Sequence, residues 1–162
     1  MTGDLFKRVE VWHALSVHFP IALLLFSTLA MAISFVIKKE KRSHWRVGVS
    51  GLLLTGCLGA WISLYTGNLA DAIVARKICD PTVLKEHEIA AQTMTYLFTI
   101  AACLGVSAFV KRFSEKLRLI TAYLILALML AGSFYLIKAG HLGASLVYQQ
   151  GAGVINHYVE CE

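Results

Sequence analysis

Charged residues are scarce in this chain. They make up 15% of its 162 residues, whereas hydrophobic residues make up 57% and the mean hydropathy is +0.66. A soluble domain of this size is less apolar than that, so a soluble globular fold is excluded. The apolar segments are also continuous rather than alternating with polar residues, which argues against a transmembrane β-barrel.

Four apolar segments approach the ~20 residues that a helix needs to cross a bilayer. They run over residues 17–37, 47–65, 89–110 and 119–137. The sequence therefore predicts one all-α membrane domain over residues 1–162, an up-down bundle of four helices. The tail, residues 141–158, is too polar around Gln149 and Gln150 to cross. We expect it to lie along the outer interface as a short helix and loop.

Lysine and arginine are concentrated in two short loops, residues 38–46 and 111–118. Because such loops face the cytoplasm, both termini and the middle loop are predicted to be periplasmic. The pattern is that of a multi-pass protein of a bacterial inner membrane. The formal net charge of +5 then reflects topology and not a nucleic-acid partner. Acidic residues are absent from the middle of the segments, which disfavours an ion-conducting transporter.

Histidines are concentrated on the predicted outer side. His18, His87 and His141 belong to three different helices and lie about 30–36 Å from the cytoplasmic charges, at ~1.5 Å of helical rise per residue. An ionisable residue within a span is costly unless it has a partner, which makes it a functional candidate. His13 lies nearby on the same side, whereas His44 is cytoplasmic.

Histidine pairs on facing helices are a common way to hold a haem or a metal in a bundle. The first and third helices of an up-down bundle lie diagonally across the core. We therefore expect His18 and His87 to bind the iron of a haem b from opposite faces, since imidazole ligates haem iron well. His13 and His141 are then a second pair for another haem, or partners of the propionates.

Two missing motifs limit the alternatives. There is no C-x-x-C-H, which excludes covalent c-type haem attachment by its usual signal. There is no H-E-x-x-H either, so a metalloprotease is unsupported. Zinc or copper stays open as the alternative cofactor, because His18, His87 and His141 with Glu86 or Glu88 could supply the three or four ligands of a tetrahedral zinc site.

The second segment carries small residues on one helix face. Gly51, Thr55 and Gly59 recur every four residues. Such a face allows close helix packing in lipid. It also leaves room for a flat macrocycle to lie against the helix, and the two interpretations are compatible.

The four cysteines fall into two groups. Cys57 and Cys103 lie within predicted spans, where a small apolar thiol packs well. Cys79 and Cys161 are both predicted to be periplasmic, and an oxidising compartment favours a disulfide between them. That bridge would close the tail over the outer face.

Three stretches resemble one protein family. They are VHFPIALL (Val17–Leu24), the histidine that opens the third helix (His87), and GHLGASLVYQQGAGV (Gly140–Val154). Together they resemble bacterial four-helix membrane proteins described as domain of unknown function 2231. The first family motif is similar to H-P-x-x-V-H-F-P, with His13 and His18 at its histidines and Ala14 in place of its first proline. The tail motif is similar to G-H-x-G-x-x-L-V-Y-x-x-G, with Gln150 where a histidine is frequent.

The resemblance covers essentially the whole chain and implies the four-helix membrane fold. We expect a b-type cytochrome-like protein that links the quinone pool to a periplasmic redox partner such as a c-type cytochrome. It is an electron-transfer subunit in this interpretation rather than a stand-alone enzyme. Two alternatives from other classes are a histidine-based metal-binding or metal-transporting membrane protein and a non-catalytic structural subunit of a larger complex.

Overall fold

The computed structural model describes residues 7–110 and 114–154, and every regular element among them is a helix. These elements are α1 (Val9–Ile33), α2 (Lys39–Val74), α3 (Pro81–Val110) and α4 (Glu115–Gln150). All four are long and apolar enough to cross a membrane, and only 28% to 33% of each apolar window is buried inside the protein. Large apolar side chains such as Phe19, Phe26, Leu58 and Phe134 point outward. The predicted all-α bundle of four helices is confirmed.

The helices pack as two hairpins. Contacts are most extensive between α1 and α2 and between α3 and α4, and smaller between α2 and α3 and between α1 and α4. The first and third helices therefore lie on a diagonal, as expected for an up-down bundle. We call the end with the start of α1 and α3 the histidine end. The opposite end, where α2 and α4 start among lysines and arginines, is the basic end.

The helices at the histidine end are longer than their apolar segments. Residues 141–150, expected in a separate interfacial tail, continue α4 as far as Gln150. The helix ends where Gly151 adopts a φ of 70°, a left-handed conformation that suits glycine, and the Ala152 N–H donates to the Leu146 carbonyl at 2.9 Å. The hydropathy of the sequence indicates which part of a helix lies in the apolar layer of the bilayer. The backbone conformation at the cap determines where the helix ends. The rest of the predicted tail, residues 155–158, lies outside the described residues.

Side chains hold the ends of the helices together at the histidine end. Asp80 precedes Pro81 and caps α3, because its Oδ1 accepts from the Thr82 N–H at 2.9 Å. The Thr82 hydroxyl and N–H both donate to this carboxylate and lower the pKa of Asp80. The Asp80 N–H in turn donates to Gln150 Oε1 at 2.9 Å. The end of α4 is thereby fixed to the connection between α2 and α3.

In each hairpin, a large side chain of one helix packs against a glycine of the other helix. Leu24 of α1 lies over Gly56 of α2, where an added Cβ would come within 2.7 Å of Leu24 Cδ2. Phe98 of α3 lies over Gly132 of α4, where an added Cβ would come within 2.8 Å of Phe98 Cε2. Both large side chains are fully buried. Small residues therefore bring the helix axes of each hairpin close together.

The second hairpin repeats the first. His13 precedes Leu24 by eleven residues, and His87 precedes Phe98 by the same number. Corresponding buried positions of α2 and α4 are shifted by a constant 76 residues: Val49 and Ile125, Leu53 and Met129, Gly56 and Gly132, Ala60 and Leu136, Ser63 and Ala139, Ala70 and Leu146, Val74 and Gln150. The fold is thus built from two copies of one helical pattern.

Candidate functional site

Two histidine rings meet at the histidine end. His13 of α1 and His87 of α3 lie edge to face, with ring centroids 6.2 Å apart and an interplanar angle of 85°. They occupy corresponding positions in the two hairpins and are both partly buried. At a rise of 1.5 Å per residue, His13 is about 6 Å and His87 about 9 Å from the start of its own helix. The pair therefore lies close to one end of the bundle.

Each ring is oriented by a backbone carbonyl of the neighbouring helix. His13 Nδ1 is 3.0 Å from the Ser63 carbonyl oxygen, and His87 Nδ1 is 2.8 Å from the Ala139 carbonyl oxygen. A carbonyl oxygen only accepts, so in the neutral ring the proton is on Nδ1. The lone pair of each imidazole is then on Nε2. This is the arrangement by which proteins orient metal-ligating histidines.

Glycines give the two imidazoles access to these carbonyls. Gly67 follows Ser63 by one helical turn, and Gly143 follows Ala139 by one turn. A helical side chain covers the turn that precedes it, so a glycine leaves that preceding carbonyl open to a neighbouring helix. An added Cβ would come within 3.0 Å of His13 Cε1 at Gly67 and within 3.2 Å of His87 Cε1 at Gly143. Both rings thus lie directly against a glycine.

The distance between the rings suits a shared metal centre. An ion bound between two imidazole nitrogens on opposite sides lies ~2 Å from each nitrogen, which separates the ring centres by about 6 Å. The observed centroid distance is 6.2 Å. Within residues 7–110 and 114–154, no three His, Cys, Asp or Glu side chains are close enough to hold one ion together. A haem needs only two protein ligands, because its macrocycle supplies the others.

Polar groups surround His13 more than His87. The hydroxyls of Ser16 and Thr66 are 3.0 Å apart beside His13, and Thr66 Oγ1 is 3.5 Å from His13 Nδ1. Ser63 Oγ is buried and has no hydrogen-bond partner in the part of the chain that the structure describes. The residue whose carbonyl contacts His13 thus also carries an unsatisfied hydroxyl, which a polar substituent of a bound group would satisfy.

The other predicted ligands point elsewhere. His18, the partner that the sequence favoured for His87, is exposed, because five residues of α-helix turn its side chain away from the direction of His13. His141 is exposed on α4, and His44 is exposed at the basic end. Glu88 is bound by Lys85 at 2.6 Å and by Gln92 at 2.9 Å. The structure thus brings His87 to His13 and leaves His18 and His141 on the surface.

The small residues of the second segment have different surroundings. Gly51 and Thr55 are exposed, and an added Cβ at Gly51 would meet nothing within 4 Å. Gly59 lies against Pro20 of α1, and an added Cβ at Gly59 would come within 3.2 Å of Pro20 Cβ. The close approach between α1 and α2 therefore runs along Gly56, Gly59 and Gly67.

Sequence reasoning missed the residues that orient the histidines. These are Ser63 and Gly67 in the first hairpin and Ala139 and Gly143 in the second. A detectable signal was present, because Gly56 and Gly67 have the same separation as Gly132 and Gly143. The same separation of eleven residues recurs between His13 and Leu24 and between His87 and Phe98, so a search for repeated spacings would have paired the two histidines.

The predicted cysteine pair is only partly within the described residues. Cys79 lies in the connection between α2 and α3, and Cys161 lies outside the described residues. Cys57 and Cys103 are free thiols within α2 and α3.

Comparison with known proteins gave one family. The family described as "Predicted membrane protein (DUF2231)" matches residues 11–156, which include both histidines of the site and all of the four helices except the first two residues of α1. Searches among curated proteins and among solved structures found no match. Because the match spans nearly the whole bundle, this chain belongs to the DUF2231 family of predicted membrane proteins.

Proposed function

We propose that this chain is a membrane electron-transfer protein that holds one haem b between His13 and His87. The observation that carries the proposal is the ring pair itself. Two imidazoles from diagonal helices lie 6.2 Å apart, and each is oriented by a carbonyl that leaves Nε2 as the ligating nitrogen. We propose one haem rather than two, because His18 and His141 are exposed.

The residues of the chain have separate roles in this proposal. His13 and His87 would hold the haem iron through Nε2, while the Ser63 and Ala139 carbonyls keep the proton at Nδ1 and fix the ring orientation. Such hydrogen bonds increase the basicity of the ligand and so influence the reduction potential. When bound, the haem supplies reversible one-electron oxidation and reduction.

We further propose that the histidine end faces the periplasm of a bacterial inner membrane. The opposite end carries the lysines and arginines that favour the cytoplasmic side. The ligands would then lie about 6–9 Å from the periplasmic ends of α1 and α3. This position suits electron exchange between the quinone pool in the membrane and a periplasmic partner such as a c-type cytochrome.

The test is the spectrum of the purified protein. We expect a red preparation whose reduced-minus-oxidised spectrum is that of a six-coordinate b-type haem, with one haem per chain. A metal analysis on the same sample should give iron in the same ratio. Protein that is colourless after expression with added haem precursor, or that carries zinc or copper and no iron, would contradict the proposal.

The proposed disulfide between Cys79 and Cys161 can be tested independently. The contact of Asp80 with Gln150 places the end of α4 beside the residue that follows Cys79. Mass spectrometry of non-reduced peptides should find the two cysteines linked in protein from an oxidising compartment. Closing a loop of roughly 80 residues should stabilise the fold by on the order of 4 kcal/mol in the chain-entropy description. Alkylated thiols at both positions would show that the tail is held without a disulfide.

A further inference from the structure

A cavity of about 620 Å³ opens at the basic end, between the starts of α2 and α4. Five of its lining residues are basic: Lys39, Arg42, Arg46, Lys116 and Arg118. Among the described lining residues the one acidic side chain is that of Glu115, which is already paired with Lys39 at 2.8 Å. The cavity therefore carries a large excess of positive charge. We propose that it binds the phosphate of an anionic phospholipid.

Arg46 is the residue that would anchor the phosphate. Its Nη2 is buried and has no hydrogen-bond partner among residues 7–110 and 114–154. Its Nε donates to Ser34 Oγ at 3.4 Å, and its guanidinium carbon lies 5.4 Å from the centre of the Phe35 ring. The guanidinium is thus held in place while one of its nitrogens lacks an acceptor. A buried donor of this kind is costly unless a ligand satisfies it.

Neighbouring charges make an anion favourable at this point. The positive charges of Arg42 and Arg118 both act on Arg46. Arg42 donates to the Ile37 carbonyl at 2.9 Å. The starts of α2 and α4 add the positive ends of two helix dipoles. A phosphate in the cavity would relieve this repulsion.

The deeper part of the cavity distinguishes a lipid from a free ion. Below the arginines the lining becomes apolar, through Met31, Val49, Leu53, Leu119 and Ile125. A charged rim at the membrane surface above an apolar groove between helices matches a phospholipid headgroup with its acyl chain. Inorganic phosphate would use only the rim.

The experiment compares ligands and variants in detergent-purified protein. Native mass spectrometry with added phosphatidylglycerol, phosphatidylcholine or inorganic phosphate measures each apparent affinity. We expect phosphatidylglycerol to bind about tenfold or more tightly than phosphatidylcholine, because only the former carries net negative charge. Equal affinity for the two lipids would overturn the proposal. Phosphate that competes with the lipid at equal concentration would show a free-anion site instead.

Variants then assign the binding to the cavity. Arg46→Gln should weaken phosphatidylglycerol binding by about tenfold or more, the effect of losing a charge-assisted hydrogen bond. Lys41→Gln removes the same charge from an exposed position outside this cavity and should change binding by about twofold. Arg118→Gln changes an exposed lining residue and is the second variant in case Arg46→Gln disturbs folding. If Arg46→Gln and Arg118→Gln both bind lipid like Lys41→Gln, the cavity is not the site.

Discussion

His13→Ala and His87→Ala should each yield protein that retains less than about a tenth of the wild-type haem. Changes to groups that only orient a metal ligand typically reduce metal affinity by about 10- to 100-fold, so loss of the ligand itself should have at least this effect. The measurement is the haem content per chain after purification. Helix content by circular dichroism would establish that each variant is folded.

His18→Ala and His141→Ala are matched controls for these two variants. All four histidines lie in the half of their helix that is nearer the histidine end, but among these four only His13 and His87 contact each other. The control variants should keep wild-type haem content, because both side chains are exposed. Loss of haem from His18→Ala together with full retention by His13→Ala would favour the pair expected from the sequence.

Gly143→Leu should also remove most of the haem, although glycine ligates nothing. An added Cβ would already come within 3.2 Å of His87 Cε1 and 3.5 Å of Nδ1, and the remaining atoms of leucine need the space that the ring occupies. His87 would then be displaced from the Ala139 carbonyl, and the haem affinity should fall by about 10- to 100-fold.

Gly140→Leu provides the control in the same helix. An added Cβ at Gly140 would meet nothing within 4 Å, so the same substitution adds the same apolar side chain without touching the site. Its haem content should equal that of the wild type. If the two variants hold equal amounts of haem, contact between Gly143 and the imidazole is not needed for binding.

The overall fold could be predicted because the apolar segments that determine it are uninterrupted in the sequence. A run of about 20 apolar residues is sufficient to identify a spanning helix, and four such helices joined by short loops cross the membrane in alternating directions. The limits of α2 and α4 could not be obtained in this way. Residues such as Gly143 and Leu146 continue α4 through contacts with other helices, and those contacts leave no trace in local hydropathy.

The site itself was predictable only in part. Counting depth along the helices placed the histidines at one end, and the diagonal relation of α1 and α3 indicated a pair across the core. Depth says nothing about rotation around a helix axis. His13 and His18 are five residues apart, so one points to the core and the other to the surface. The contact with Ser63 shows that His13 is the one that points to the core.

Because the hairpin is repeated within one chain, the surroundings of His13 and His87 can differ from each other. In a dimer of identical subunits, any substitution appears on both sides of the symmetry axis. Here the two sides belong to one chain and already differ. The 76-residue shift that relates Ser63 to Ala139 makes Leu142 the counterpart of Thr66. One imidazole has a hydroxyl group within 3.5 Å, whereas the corresponding position beside the other is apolar. A substitution in one half can therefore change the surroundings of one imidazole without changing those of the other.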